Sequence, residues 1–221
     1  MRNVVRLEEP LSLQENGEKW KKELLAKIDE CKQIELKVPD LFFDKYKQND
    51  VKERLVEMYG SYCCYCEGLI GVVNYGHIEH RKPKRKFPNE TFDWENLHLS
   101  CDICNTKKGT KYSTRFPILD AVKDKISDHM EYEVNATGCW WTDRSPRGKT
   151  TEEHADLNRE KLRGHRLEAF NEVMGLILKI RRKIRRNQNA PGLNVAMAQL
   201  EEMCKGQYGS VITFAKQELL G

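Results

Sequence analysis

Two Cys-x-x-Cys pairs constrain this chain more than any other feature: Cys63 with Cys66, and Cys101 with Cys104. A tight turn of this kind presents two sulfurs to one ion, and four thiolates together close a tetrahedral zinc site of the structural type. Cys64 could also pair with Cys66, but the Cys-x-x-Cys order favours Cys63 and leaves Cys64 facing elsewhere. The sequence therefore predicts a structural Zn²⁺ rather than four reduced core cysteines.

The other cysteines do not suggest a disulfide framework. The chain has 221 residues, a third of them charged, and MRNVVRLEEPLSL at its start lacks the apolar stretch of a signal peptide. We expect Cys31, Cys139 and Cys204 to be buried or incidental thiols. The expected protein is soluble and cytoplasmic.

Basic residues concentrate in three runs, Arg81–Lys86, Lys107–Lys111 and Arg181–Arg186, although the formal net charge is only +4. The first run lies between the two cysteine pairs, and the second follows the later pair. Both are therefore close to the polar residues between and just after the cysteines, where cations would attract a polyanionic substrate. The third run is equally compatible with a solvated helix surface.

Periodicity predicts an α+β fold that is mostly helical. Residues 16–34 and 50–60 have helical spacing, with Asp50 as N-cap and Gly60 as the terminating glycine. Two short strands are expected at 69–73 and 75–81, followed by a short helix from Asn96 to Gly109. These pieces predict a ββα-metal core with a four-cysteine zinc site, surrounded by helices.

The C-terminal half is expected to hold an irregular stretch at 116–157 with one hairpin, and then helices at 158–187, 193–205 and 208–219. The predicted segments are thus 1–58 (helical), 59–115 (metal core) and 116–221 (hairpin and helices), packed as one domain. The apolar stripe of the last helices favours completion of the core, over docking of a partner or holding of substrate.

Four polar residues near the cysteines have the chemistry for phosphodiester hydrolysis. His80 is a base with a near-neutral pKa, and Glu79 and the amide of Asn105 are oxygen ligands for Mg²⁺ or another divalent ion such as Mn²⁺. Asn96 would hold the histidine strand in place. Each has an ordinary alternative alone, since a strand histidine commonly packs and an asparagine commonly caps a helix. Their joint order beside the zinc cysteines favours a site.

Further candidates have weaker support. His77 shares a strand face with Glu79, so it is a possible metal ligand or a packed side chain. His98 is expected to pack. Four lysines are candidate phosphate contacts or solvated charges: Lys82, Lys84, Lys107 and Lys108.

These motifs, with Pro83, Asn96-Leu97 and CDICNTKKG, resemble the HNH endonuclease family in its variant with Asn at the final position. The resemblance implies that His80 is the general base, that Glu79 and Asn105 bind the catalytic ion, and that Asn96 orients His80. Many members have Asp at the position of Glu79, which leaves metal preference open.

Residues 59–166, including FPILD and GKTTEEHADLNREKLRGHR, resemble the HNH nuclease subunits of Septu-type antiphage systems, PtuB, and their retron-associated versions. That resemblance implies an ABC-type ATPase partner (PtuA-like) and a DNA or transfer RNA target.

Three functions follow for comparison: a single-metal nuclease within a defence complex, the same nuclease acting alone, and a non-catalytic zinc ribbon that binds nucleic acid or a partner. The ribbon accounts for the cysteines and basic runs but leaves Glu79, His80 and Asn105 without a role.

Overall fold

The computed structural model describes residues 1–71, 76–186 and 191–220. Its elements in chain order are α1 (Leu11–Gln33), α2 (Asp40–Phe43), α3 (Asn49–Tyr59), β1 (His77–His80), β2 (Leu97–Ser100), α4 (Asp102–Lys108), β3 (Met130–Asn135), β4 (Gly138–Asp143), α5 (Pro146–Ala155), α6 (Glu160–Arg186), α7 (Leu193–Lys205) and α8 (Gly209–Leu220). The α+β class and the helical majority were predicted correctly.

The central unit is a two-stranded antiparallel sheet followed by a short helix. In the register of β1 with β2, Glu79 lies opposite His98 and His80 lies opposite Leu97. Helix α4 follows β2 directly and packs on β1. The chain thus forms a ββα unit with the cysteine pairs at its edge.

The strand predicted at 69–73 is not the partner of β1. Leu69 makes only an isolated bridge with Tyr62, and residues 72–75 lie outside the described ranges. The partner is β2, which the sequence pattern had assigned to the start of a helix. All four residues of β2 are buried, so the alternation that marks a half-exposed strand is missing.

Helix α3 ends as predicted, because Gly60 adopts a left-handed conformation (φ 60°) and its N–H donates to the Val56 carbonyl. The capping prediction for Asp50 is wrong, since the N-cap is Gln48. The Asp50 carboxylate instead accepts hydrogen bonds from the N–H (2.9 Å) and hydroxyl (2.7 Å) of Ser12. These bonds connect α3 to α1.

The stretch expected to be irregular contains the predicted hairpin, β3 with β4, and also the unpredicted helix α5. Ser145 caps α5 by accepting from the Gly148 N–H, and Pro146 occupies its first turn. Helix α6 buries Leu162, Val173, Ile177 and Ile180, whereas its Leu178 and Ile184 are exposed.

Two clusters of buried apolar residues form the interior. The larger one includes side chains from α1, α3, the cysteine knuckles, β2, the hairpin and the start of α6. The smaller one joins α6, α7 and α8. Among the helices in the described ranges, none pairs the length with the apolar character needed to traverse a bilayer.

Candidate functional site

The four knuckle cysteines meet in the interior. The sulfurs of Cys63, Cys66, Cys101 and Cys104 all lie within 4.8 Å of one another, and the Cys66 and Cys101 sulfurs are 3.8 Å apart. A zinc ion with Zn–S bonds of about 2.3 Å in a tetrahedron places its sulfurs about 3.8 Å apart. The donor set and its spacing fit structural zinc.

Local backbone bonds shape both knuckles. The Glu67 N–H donates to the Cys63 carbonyl (3.0 Å), and the Gly68 N–H points at the Cys66 sulfur (3.4 Å). Cys101 caps α4, with its sulfur accepting from the Cys104 N–H (3.5 Å). The Cys64 sulfur is outside the cluster, and the Cys64 N–H donates to the Leu99 carbonyl of β2 (2.8 Å).

Beside this cluster lies an open cleft of about 700 Å³. His77, Glu79 and His80 of β1 line it together with Asn105 of α4. Its other walls come from the N-terminal helical segment and from the loop after β1, and they include Tyr46, Lys47, Lys52, Lys84 and Arg85. The structure therefore brings the predicted base and both predicted metal ligands to one cavity.

His80 is buried and held in one orientation. Its Nε2–H donates to the Thr91 carbonyl (2.8 Å), so Nδ1 carries the lone pair. The Tyr46 ring packs edge-on against the imidazole, with centroids 4.4 Å apart. Burial lowers the pKa of His80 to about 3, against the opposing effect of the Thr91 carbonyl. The imidazole is therefore neutral in the absence of substrate.

Glu79 is buried next to a buried cation. The Lys108 ammonium lies 2.5 Å from Glu79 Oε1, to which the Tyr65 hydroxyl also donates (3.3 Å). Lys108 additionally donates to the His80 carbonyl (2.7 Å). Burial raises the pKa of the Glu79 carboxyl, while Lys108 and Tyr65 oppose that effect. Lys108 thus fixes both the carboxylate of Glu79 and the strand that carries the predicted base, His80.

Asn96 secures the loop that leaves β1. Its Oδ1 accepts from the Lys82 N–H (2.8 Å), and its Nδ2 donates to the carbonyls of Lys82 and Glu90 (3.0 Å each). That loop carries the Thr91 carbonyl that orients His80. Asn96 is buried and does not line the cleft. Its bonds suit support of the histidine rather than contact with substrate.

Asn105 and His77 are the more accessible members of the site. Asn105 is half-buried, and its side chain makes no hydrogen bond within the described part of the chain. The His77 side chain is 46% exposed, and its Nε2 lies 3.2 Å from Asp102 Oδ1. An amide free to turn into the cleft is suited to ligate an ion.

The lysines predicted to contact phosphate are all engaged with carboxylates. Lys82 pairs with Glu90 (2.7 Å), Lys84 with Asp44 (2.5 Å) and Lys107 with Asp156 (2.9 Å). Lys108 differs from the other three because its ammonium lies in the interior, where a substrate phosphate cannot reach it.

Three further residues contact His80 or Glu79 through tertiary interactions that the sequence alone does not reveal. Thr91 acts through its carbonyl, and Tyr46 and Tyr65 reach the site from distant segments. His98, expected to pack, is buried on β2, where its Nδ1 shares a hydrogen bond with the Tyr59 hydroxyl (2.6 Å). The position of Tyr65 inside the first cysteine pair is the one signal in the sequence that could have identified any of these three residues.

Comparison with known proteins agrees with this geometry. Residues 63–111 match the model of the HNH endonuclease family. Septu protein PtuB of Bacillus thuringiensis is 36% identical over 110 residues, covering 49% of this chain and 41% of the relative. Septu protein PtuB of Bacillus mycoides (strain KBAB4) is 29% identical over 124 residues, covering 41% of each chain.

The chain therefore spans about two fifths of the length of these curated relatives. No solved structure matches it.

Proposed function

We propose that this chain, whose residues 63–111 form an HNH endonuclease domain, hydrolyses phosphodiester bonds of nucleic acid with a divalent ion. The observation that carries the proposal is the convergence of His80, Glu79 and Asn105 on one cleft beside the four-cysteine cluster. A zinc ribbon that only binds nucleic acid or a partner does not require a buried, oriented imidazole and a buried carboxylate in the same cavity.

In this mechanism His80 is the general base. Its Nδ1 accepts a proton from water while Nε2–H stays on the Thr91 carbonyl. Burial disfavours the imidazolium, and the negative charge of a phosphate entering the cleft favours it. The Tyr46 ring packs edge-on against the imidazole and supports its position at the cleft.

Glu79 and Asn105 would hold the catalytic ion through a carboxylate and an amide oxygen, the hard ligands that Mg²⁺ and Mn²⁺ prefer, and His77 is a further candidate ligand. When bound, such an ion polarises the phosphate and stabilises the leaving oxygen. Lys108 keeps Glu79 oriented and compensates its charge before the ion arrives.

The partner and cellular role are proposed from the relatives. Both carry the name Septu protein PtuB, which supports a place for this chain in a Septu-type antiphage system in the bacterial cytoplasm. There it would act with an ABC-type ATPase on DNA or an RNA such as transfer RNA. Copurification of the tagged chain with such an ATPase from its native genomic neighbourhood tests this part.

The nuclease proposal is tested with His80→Ala. We expect cleavage of plasmid DNA and transfer RNA to fall by about 10²-fold or more, the usual contribution of a general base. Zinc content and circular dichroism should stay at wild-type values. His165→Ala, at an exposed histidine of α6, is the matched control and should cleave normally.

Asn105→Ala is a second variant, and its effect on cleavage should not come from misfolding. This half-buried side chain makes no internal hydrogen bond within the described residues. The substitution should raise the divalent-ion concentration needed for half-maximal cleavage. Normal cleavage by folded His80→Ala protein would reject the proposal in favour of a binding ribbon.

A further inference from the structure

The strongest charge imbalance of the chain lies far from the cleft. Between Glu172 and Glu201 the sequence has six basic residues and no acidic one. These six positive charges exceed the formal net charge of +4, so the rest of the chain is net negative by two. The six, called here the α6 basic block, are Lys179, Arg181, Arg182, Lys183, Arg185 and Arg186.

Within the described residues the block has no carboxylate partners, in contrast to the lysines that the sequence predicted as phosphate contacts. Lys82, Lys84 and Lys107 each pair with an acidic side chain. Across residues 1–71, 76–186 and 191–220, no ion pair involves a residue of the block. Cations whose charge is not neutralised by a carboxylate keep that charge available for an external polyanion.

The block is presented on a fixed surface. Val173, Ile177 and Ile180 of α6 are buried against α7 and α8. At 100° per residue, the exposed members Lys179, Arg182, Arg185 and Arg186 lie on the side of α6 away from that buried stripe. The packed helices therefore hold these charges outward.

Helix α6 also connects the block to the nuclease core. Arg159, directly before α6, donates to the Cys104 sulfur (3.6 Å), and Cys104 is followed by Asn105 of the cleft. With a rise of about 1.5 Å per residue, Lys179 to Arg186 lie roughly 30–40 Å along the helix from that contact. One turn of double-stranded DNA is about 34–36 Å.

We propose that the α6 basic block binds the phosphate backbone of a double-helical nucleic acid about one turn away from the bond at the HNH cleft. The inference rests on the proposed nuclease function and adds a second contact that the cleft itself does not provide. Double-stranded DNA and the base-paired stem of a structured RNA both present two phosphate backbones to such a surface, and the test below includes both.

The test compares two variants of the full chain. One replaces the exposed members of the block, Lys179→Gln/Arg182→Gln/Arg185→Gln/Arg186→Gln. The control removes the same charge from exposed lysines of α1 and the segment after it, Lys19→Gln/Lys22→Gln/Lys32→Gln/Lys37→Gln. Zinc content and thermal unfolding establish that both variants are folded.

Binding is measured by fluorescence anisotropy without added divalent ion, using a 30-base-pair DNA duplex, an RNA stem-loop with a stem of similar length, and an 8-base-pair duplex. The block variant should bind the long duplex or stem at least tenfold more weakly. The slope of log K against log salt should fall by about 0.9 for each lost phosphate contact. The short duplex should bind both variants equally, and the control should match wild type.

Equal binding of the long probes by the block variant and the control would overturn the inference. Loss of ATPase copurification with unchanged duplex binding would also overturn it, since the block would then recognise an acidic protein surface. The binding assay needs no cleavage, so its result is independent of the His80→Ala outcome that judges the nuclease function.

Discussion

Replacement of Lys108 by Met should destabilise the protein strongly, because it leaves the Glu79 charge buried without its cation. The two side chains are 1% and 5% exposed, and the Lys108 nitrogen is 2.5 Å from Glu79 Oε1. Removal of one partner of such a buried pair costs about 3–5 kcal/mol. At roughly 2–4 °C per kcal/mol for a chain of this size, Tm should fall by about 6–20 °C.

The double mutant separates the buried charge from other effects of the substitution. Glu79→Gln/Lys108→Met removes both charges, so it should be markedly more stable than Lys108→Met alone. Urea unfolding followed by circular dichroism measures the four free energies of the cycle. Lys107→Met is the matched control: its ion pair with Asp156 is exposed, so the change should cost less than about 1 kcal/mol.

A metal titration extends the same experiment to function. If Glu79 ligates the catalytic ion, Mg²⁺ or Mn²⁺ should restore part of the stability of Lys108→Met by compensating the carboxylate. The double mutant, which lacks that carboxylate, should gain much less. A loss below about 1 kcal/mol in Lys108→Met, or a double mutant whose loss equals the sum of the single losses, would refute the reasoning.

Three further outcomes are expected. Cys104→Ser should release the zinc and lower the free energy of unfolding by several kcal/mol, measured by atomic absorption and urea titration. Asn96→Ala should cost about 2–4 kcal/mol through three lost side-chain hydrogen bonds, and should reduce kcat more than it raises KM, because His80 loses its support. Stability should fall as pH falls: the pKa of His80 is about 3 in the folded protein and near 6.5 unfolded, so below pH 6.5 only the unfolded state gains the proton. At pH 4 the resulting loss of folding stability is on the order of 3 kcal/mol. In His80→Asn the urea midpoint should therefore depend less steeply on pH. The same pH dependence in this variant as in wild type would contradict the prediction.

The parts of the fold that followed from sequence are those with a strong local signal. Gly60 ended α3 because its left-handed conformation favours glycine, and the apolar spacing of α6 located a long helix. Strand β2 was missed because it is four residues long and buried on both faces. Helix α5 was missed because its sequence, PRGKTTEEHA, has no apolar stripe, although Ser145 and Pro146 mark its start.

The candidate site, like the fold, was predicted from the sequence only in part. The order of Glu79, His80 and Asn105 beside the cysteine pairs predicted one shared site, and these three side chains line one cleft. The surroundings of these side chains depend on tertiary contacts that no spacing rule contains. Lys108 is the clearest case: it belongs to a basic run that predicted contact with solvent and phosphate, yet the packing of α4 on β1 places its ammonium in the interior.

The contact between Arg159 and Cys104 makes the cysteine cluster a junction between the cleft and α6. Thiolates that hold zinc are also the groups that oxidants attack, and their oxidation expels the ion. Loss of an ion from this junction would therefore disturb two places at once: the start of α6 at Arg159, and Asn105, which follows Cys104 and lines the cleft.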